Sequence, residues 1–195
     1  MTKAAFIEQI FDPIVQKQID ELCTDIDKGK DAITATFIKS LDLICNELPE
    51  ITLPNAKYIT FSLIRTHLIE TGEFSYCTRM FDDEFKHSTE FSAVCFYEAS
   101  WLTDRLNTLT DDVEQQVSKS MIKHDPVFIK ELMAQVVDVF NIYFVNTIKD
   151  SLVGYYNDTL HGLCILAGDY MFSSTCLVQA KYEKIKTFNT EINEA

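Results

Sequence analysis

The most apolar stretch of the chain runs from Leu132 to Ile148 and contains one charged residue, Asp138. At helical spacing its apolar residues form two adjoining stripes, which cover most of the circumference of a helix. Such a helix is stable in water only when other elements surround it, so the pattern predicts a central helix from about Val127 to Val153. Asp138 is expected to lie on a thin polar strip of this helix. That strip also carries Gln135, Asn141 and Asn146.

Three further helices are predicted in the first part of the chain, where apolar residues recur at helical spacing. Each of them begins at a residue whose side chain can cap backbone N–H groups, and each ends at a glycine or before a proline. The predicted bounds are Asp12–Pro13 to Gly29, Asp31 to Pro49, and Asn55 to Gly72.

The period of the pattern changes after Gly72. Apolar and polar residues alternate over residues 74–81, which is typical of a strand, and residues 91–97 are β-branched and aromatic. The polar stretch between them, residues 82–90, contains four carboxylates. These features predict a β-hairpin with a long acidic connection.

Helical spacing returns at Trp101, and Asp111 with Asp112 is expected to open another helical segment. Beyond the central helix, residues 163–166 predict a short buried strand. Residues 170–178 fit either a strand or a helical turn, and the tail from about residue 181 is expected to be a frayed helix.

The predicted fold is therefore a helix-rich α+β domain with a small antiparallel sheet. An all-α bundle is the alternative, if the aromatic runs are helical. The chain has 195 residues, of which 47% are hydrophobic and only nine are Gly or Pro, so one globular domain over residues 1–195 is expected.

The charge of the chain makes nucleic acid an improbable ligand. The formal net charge is −13, and the three arginines lie far apart, whereas phosphate backbones require clustered basic residues. The six cysteines are scattered without a C-x-x-C pair, which favours reduced thiols buried as small hydrophobes. No run approaches the twenty or so apolar residues of a membrane span, and the composition predicts a cytoplasmic protein.

No catalytic or cofactor-binding motif is present in the sequence. It lacks both the phosphate-binding P-loop and the dinucleotide-binding glycine pattern. Two His–carboxylate pairs have helical spacing, His67 with Glu70 and Asp158 with His161, but further inward carboxylates for a metal are missing. We therefore predict no catalytic residue, cofactor or metal, and we favour a non-enzymatic function.

The remaining hypothesis is a protein that acts by contact with another protein, or with a second copy of itself as a homodimer. Acidic runs usually form solvated faces, and here they are interpreted as a docking surface for a basic partner. The residues proposed for this surface are Asp82, Asp83, Glu84, Asp111, Asp112 and Glu114.

Two alternatives remain open. A small-ligand binder or enzyme would use a pocket near residues 155–170, where aromatic and polar side chains lie close to glycines. The pocket residues would be Tyr155, Tyr156, Asp158, His161, Asp169 and Tyr170. A second alternative is an inhibitor whose acidic surface mimics DNA.

Overall fold

A computed structural model describes residues 2–47, 58–81, 95–119, 126–152, 163–169 and 174–179 of the chain. The helices in these residues are α1 (Lys3–Phe6), a π-helical turn (Ile7–Phe11), α2 (Asp12–Glu47), α3 (Arg65–Thr71), α4 (Ser100–Lys119) and α5 (Pro126–Leu152). The strands are β1 (Tyr58–Leu63), β2 (Ser75–Phe81), β3 (Cys95–Glu98), β4 (Cys164–Asp169) and β5 (Ser174–Gln179).

The strands form one mixed sheet in the order β3-β2-β1-β4-β5. Three neighbouring pairs are antiparallel, whereas β1 and β4 are parallel, so that Phe61 lies opposite Thr78 on one side and Ala167 on the other. The helix-rich α+β class is confirmed, but the sheet is not purely antiparallel. A parallel pair needs a long crossover connection. Here the segment between β1 and β4 provides it, and this segment contains α3, β2, β3, α4 and α5.

The core lies between one face of the sheet and the long helices α2 and α5. The Phe37 ring of α2 is 4.6 Å from the Phe61 ring of β1, measured between centroids. The Phe144 ring of α5 stacks on Tyr76 of β2 with a centroid distance of 3.7 Å. Phe140 and Phe144 are fully buried. The predicted central helix is thus confirmed, with bounds within one residue of those expected.

α5 is not surrounded on all sides, because its exposed face is wider than the predicted polar strip and includes Ala134 and Ile142. Asp138 is exposed and forms an ion pair with Arg65 of α3, and Gln135 and Asn146 are also exposed. Asn141, in contrast, is buried, and its side-chain oxygen accepts a hydrogen bond of 3.0 Å from the Tyr76 hydroxyl. A buried amide is tolerated at this position because a core hydroxyl satisfies its oxygen.

The predicted break at Gly29 is wrong, because α2 is one helix of 36 residues. Gly29 does not have a positive φ, and Asp31, the expected cap, lies inside the helix. A glycine costs a helix interior only about 1 kcal/mol relative to alanine. The free energy gained by burying apolar side chains on α2 exceeds that cost. These side chains are Leu22 before Gly29, and Ile33, Phe37 and Leu41 after it.

Helix α2 begins at Asp12 as predicted, but Asp12 does not cap it, because its backbone is already helical and continues the π turn. The helical segment begins at α1, where the Thr2 hydroxyl accepts a hydrogen bond from the Ala5 amide, and passes through the π turn into α2. Proline has no N–H group, and its ring collides with the carbonyl four residues earlier in a regular helix. The wider turn directly before Asp12 gives the Pro13 ring space within a continuous helical path.

Two other predicted helical boundaries need correction. Residues 58–63, expected to be helical, form β1, the central strand, whose consecutive residues from Ile59 to Leu63 are all buried. Residues 59–63 alternate between apolar and polar, as in a strand, but Tyr58, Phe61, Ile64 and Leu68 also fit helical spacing, so the local pattern allowed both structures. Asp111 and Asp112 do not open a new helix but lie within the continuous α4.

The other predicted elements are confirmed where the structure describes them. Gly72 ends α3 in the left-handed conformation with φ of 78°. Strands β2 and β3 pair antiparallel as a hairpin, and β5 is a strand rather than a helical turn. Strand β4 overlaps the strand predicted at residues 163–166 but extends to Asp169. The expected frayed tail from residue 181 lies outside the described residues. No helix in the described parts of the chain has the length and apolarity to cross a bilayer.

We expect Phe140→Ala to lower the free energy of unfolding by about 3–5 kcal/mol, because it removes a fully buried ring and leaves a cavity. The control is Ile142→Ala on the same helix, whose side chain is 59% exposed and which should change stability by less than about 1 kcal/mol. Urea unfolding measures both. Equal effects of the two substitutions would contradict the central position of α5.

We expect opposite effects from alanine at two glycines. Gly29→Ala should stabilise the protein by about 0.5–1 kcal/mol, because the new Cβ lies 3.8 Å from Ile33 Cδ1, an ordinary contact, in a helical backbone. Gly72→Ala should destabilise it by about 1–2 kcal/mol, because φ is +78° at the end of α3. Thermal unfolding of both variants checks this. Destabilisation by Gly29→Ala would show that α2 is not continuous there.

Candidate functional site

The acidic faces of α2 and α4 meet around one basic side chain, Arg105. Its Nε donates a 2.7 Å hydrogen bond to Asp25 Oδ2, and its two terminal nitrogens form ion pairs with Glu21 and Asp25. The hydrogen bond to Asp25 is the largest of the effects that raise the pKa of Arg105 above its usual value. Arg105 therefore joins α2 to α4 as a permanent cation.

A buried amide extends this contact along the interface. Gln18 is fully buried, and its Nε2 donates a 3.0 Å hydrogen bond to Asp112 Oδ2, while its Oε1 accepts one of 3.4 Å from Arg105 Nη1. Residues three, four or seven apart share a helix face, which places these side chains opposite one another. We call this set the Arg105 network; it comprises Gln18, Glu21, Asp25, Arg105 and Asp112.

The Arg105 network divides the predicted docking residues of α4 into two kinds. Asp112 points into the interface with α2 and is held by Gln18. Asp111 and Glu114 are exposed, and within the described part of the chain neither side chain forms a hydrogen bond or an ion pair. Asp111 and Glu114, together with the exposed Asp104, are therefore the carboxylates of α4 that remain available to another molecule.

The two helices carry much of the charge of the chain. Together α2 and α4 contain twelve carboxylates and six basic side chains. The net charge of the whole protein is −13. The Arg105 network accounts for three of these carboxylates and one of the basic side chains, so nine carboxylates and five lysines of the two helices are not part of it.

The other predicted site residues are not brought into this surface by the described structure. The acidic run Asp82, Asp83 and Glu84 lies outside the described residues, and so do Tyr155, Tyr156, Asp158, His161 and Tyr170 of the predicted pocket. Asp169 is the last residue of β4, opposite Leu63 of β1 in the parallel register. The hairpin surface and the pocket therefore stay predictions.

His67 does not pair with Glu70, the carboxylate suggested by helical spacing. Its Nε2 lies 3.3 Å from Glu73 Oε2, two residues beyond the end of α3. Among the described residues, no group of three or more His, Cys, Asp or Glu side chains could hold a metal ion.

The thiols follow the sequence expectation where the structure describes them. Cys45, Cys77 and Cys95 are buried free thiols, and Cys23 and Cys164 are partly buried. Burial, together with the nearby Asp42 carboxylate and Cys95, raises the pKa of Cys45 to about 11. A thiol with this pKa remains protonated at neutral pH and is therefore unsuited to nucleophilic chemistry.

Sequence reasoning missed the Arg105 network. A weak signal was present, because Gln18, Glu21 and Asp25 have helical spacing and Arg105 is seven residues before Asp112. Nothing in the sequence indicated which of the scattered charges would face each other, since that depends on how the two helices cross.

The comparisons with known proteins give no further guide to this surface. No protein-family model matches the chain, and neither a curated protein nor a solved structure matches it.

We expect Arg105→Met to destabilise the protein by about 1–2 kcal/mol, because it leaves Glu21 and Asp25 facing each other and removes a donor from buried Gln18. Lys17→Met is the matched control, since it removes one positive charge and an exposed 3.8 Å ion pair with the same Glu21. That variant should lose less than about 0.5 kcal/mol. Equal losses in urea unfolding would show that net charge, rather than the Arg105 network, determines the effect.

We expect the buried Cys45 thiol to make the protein less stable as pH rises from 9 towards 11. In this range the unfolded chain releases the thiol proton and the folded chain keeps it, so unfolding becomes more favourable by up to roughly 2–3 kcal/mol. Cys45→Val removes the titrating group and should show a smaller loss. Denaturant unfolding of both proteins across this range measures the difference between their stability losses. Burial also raises the pKa of tyrosines such as Tyr97, but both proteins contain these tyrosines, so they do not affect the difference. Parallel pH profiles would contradict the prediction.

Proposed function

We propose that this protein acts without catalysis, by binding a basic protein partner through the acidic surface of α2 and α4. The observation that carries the proposal is the contrast between neighbouring carboxylates on α4. Asp112 is held inside the fold by Gln18, whereas Asp111 and Glu114 are exposed with no ion-pair partner in the described residues. Carboxylates that the fold does not use are free to meet an external cation.

The expected role of these carboxylates is to accelerate the encounter with the partner. Exposed charges act over a screening length of about 8 Å at physiological salt, and they change association more than dissociation. Asp111 and Glu114 are three residues apart and so lie on one face of α4. The predicted acidic run Asp82–Glu84 would add to the same negative field if it faces the same side.

The partner is expected to be a different protein rather than a second copy bound through this same surface. A symmetric dimer places the same patch of each copy against its equivalent. Since this patch carries an excess of carboxylates, that arrangement would bring like charges together and cost several kcal/mol. A homodimer of this chain would therefore have to use another face.

The test compares three immobilised proteins: the wild type, the double variant Asp111→Asn with Glu114→Gln, and a control. The control is Glu131→Gln with Asp150→Asn, which removes two exposed carboxylates from α5 and so has the same net charge. Proteins captured from the native host at low salt are identified by mass spectrometry. A basic partner should be retained by the wild type and the control and depleted on the α4 variant.

The association rate of the purified partner with each protein then tests whether the α4 carboxylates accelerate binding. The α4 variant should associate roughly threefold to tenfold more slowly than the wild type at low salt, with a flatter salt dependence. A second variant, Asp82→Asn, Asp83→Asn and Glu84→Gln, measures the contribution of the hairpin connection. All variants should keep the unfolding free energy of the wild type within about 0.5 kcal/mol. Equal association rates of the α4 variant and the control would overturn the proposal.

A further inference from the structure

We draw no further inference here: the strongest candidate, the exposed apolar side chains of Ile69 on α3 and Ile142 on α5, each one helical turn beyond a member of the Arg65–Asp138 ion pair, carries no proposal because nothing in the structure shows what covers them.

Discussion

The fold depends most on the burial of Phe144, where α5, α2 and the sheet meet. Its ring stacks on Tyr76 at 3.7 Å and lies 6.4 Å from Phe37, 5.8 Å from Tyr97 and 6.5 Å from Trp101, measured between ring centroids. These partners come from α2, β2, β3 and the start of α4. One side chain therefore links the central helix to each layer around it, and aromatic pairs of this kind add to the free energy of burial.

The polar contacts of the interior serve this aromatic packing. The Tyr76 hydroxyl donates to buried Asn141, so that the ring can lie flat on Phe144 without leaving an unsatisfied oxygen. Nearer the N-terminal end of α2, the Arg105 network performs a different task, because it connects α2 to α4 where the interface approaches solvent. The core thus fixes α5 against the sheet and also buries the apolar face of α4, from Leu102 to Val117. The Arg105 network adds charge pairing to the contact between α2 and α4.

The same arrangement connects the fold to the proposed function. Alignment of α4 against α2 turns Asp112 inwards to Gln18 and leaves Asp111 and Glu114 outside. Neighbouring carboxylates therefore have separate roles, one in holding two helices together and the others in forming a negative surface. The sequence shows an acidic run at this position, but only the packing of the helices separates structural from available charge.

The sequence by itself determined the helix-rich α+β class, the extent of α5, the hairpin of β2 and β3, and the end of α3 at Gly72. In each case the signal is local: an apolar stripe, a period of two, or a residue suited to positive φ. Tertiary structure decided the continuity of α2 through Gly29, the strand at residues 58–63 and the parallel pairing of β1 with β4. Burial against distant elements outweighs the small local cost of a glycine. Residues 58–63 fit both a period of two and helical spacing, and pairing with β2 and β4 decides between them. The Arg105 network was decided in the same way, because its partners on α2 and α4 are 80 to 94 residues apart in the chain and meet only when the two helices cross.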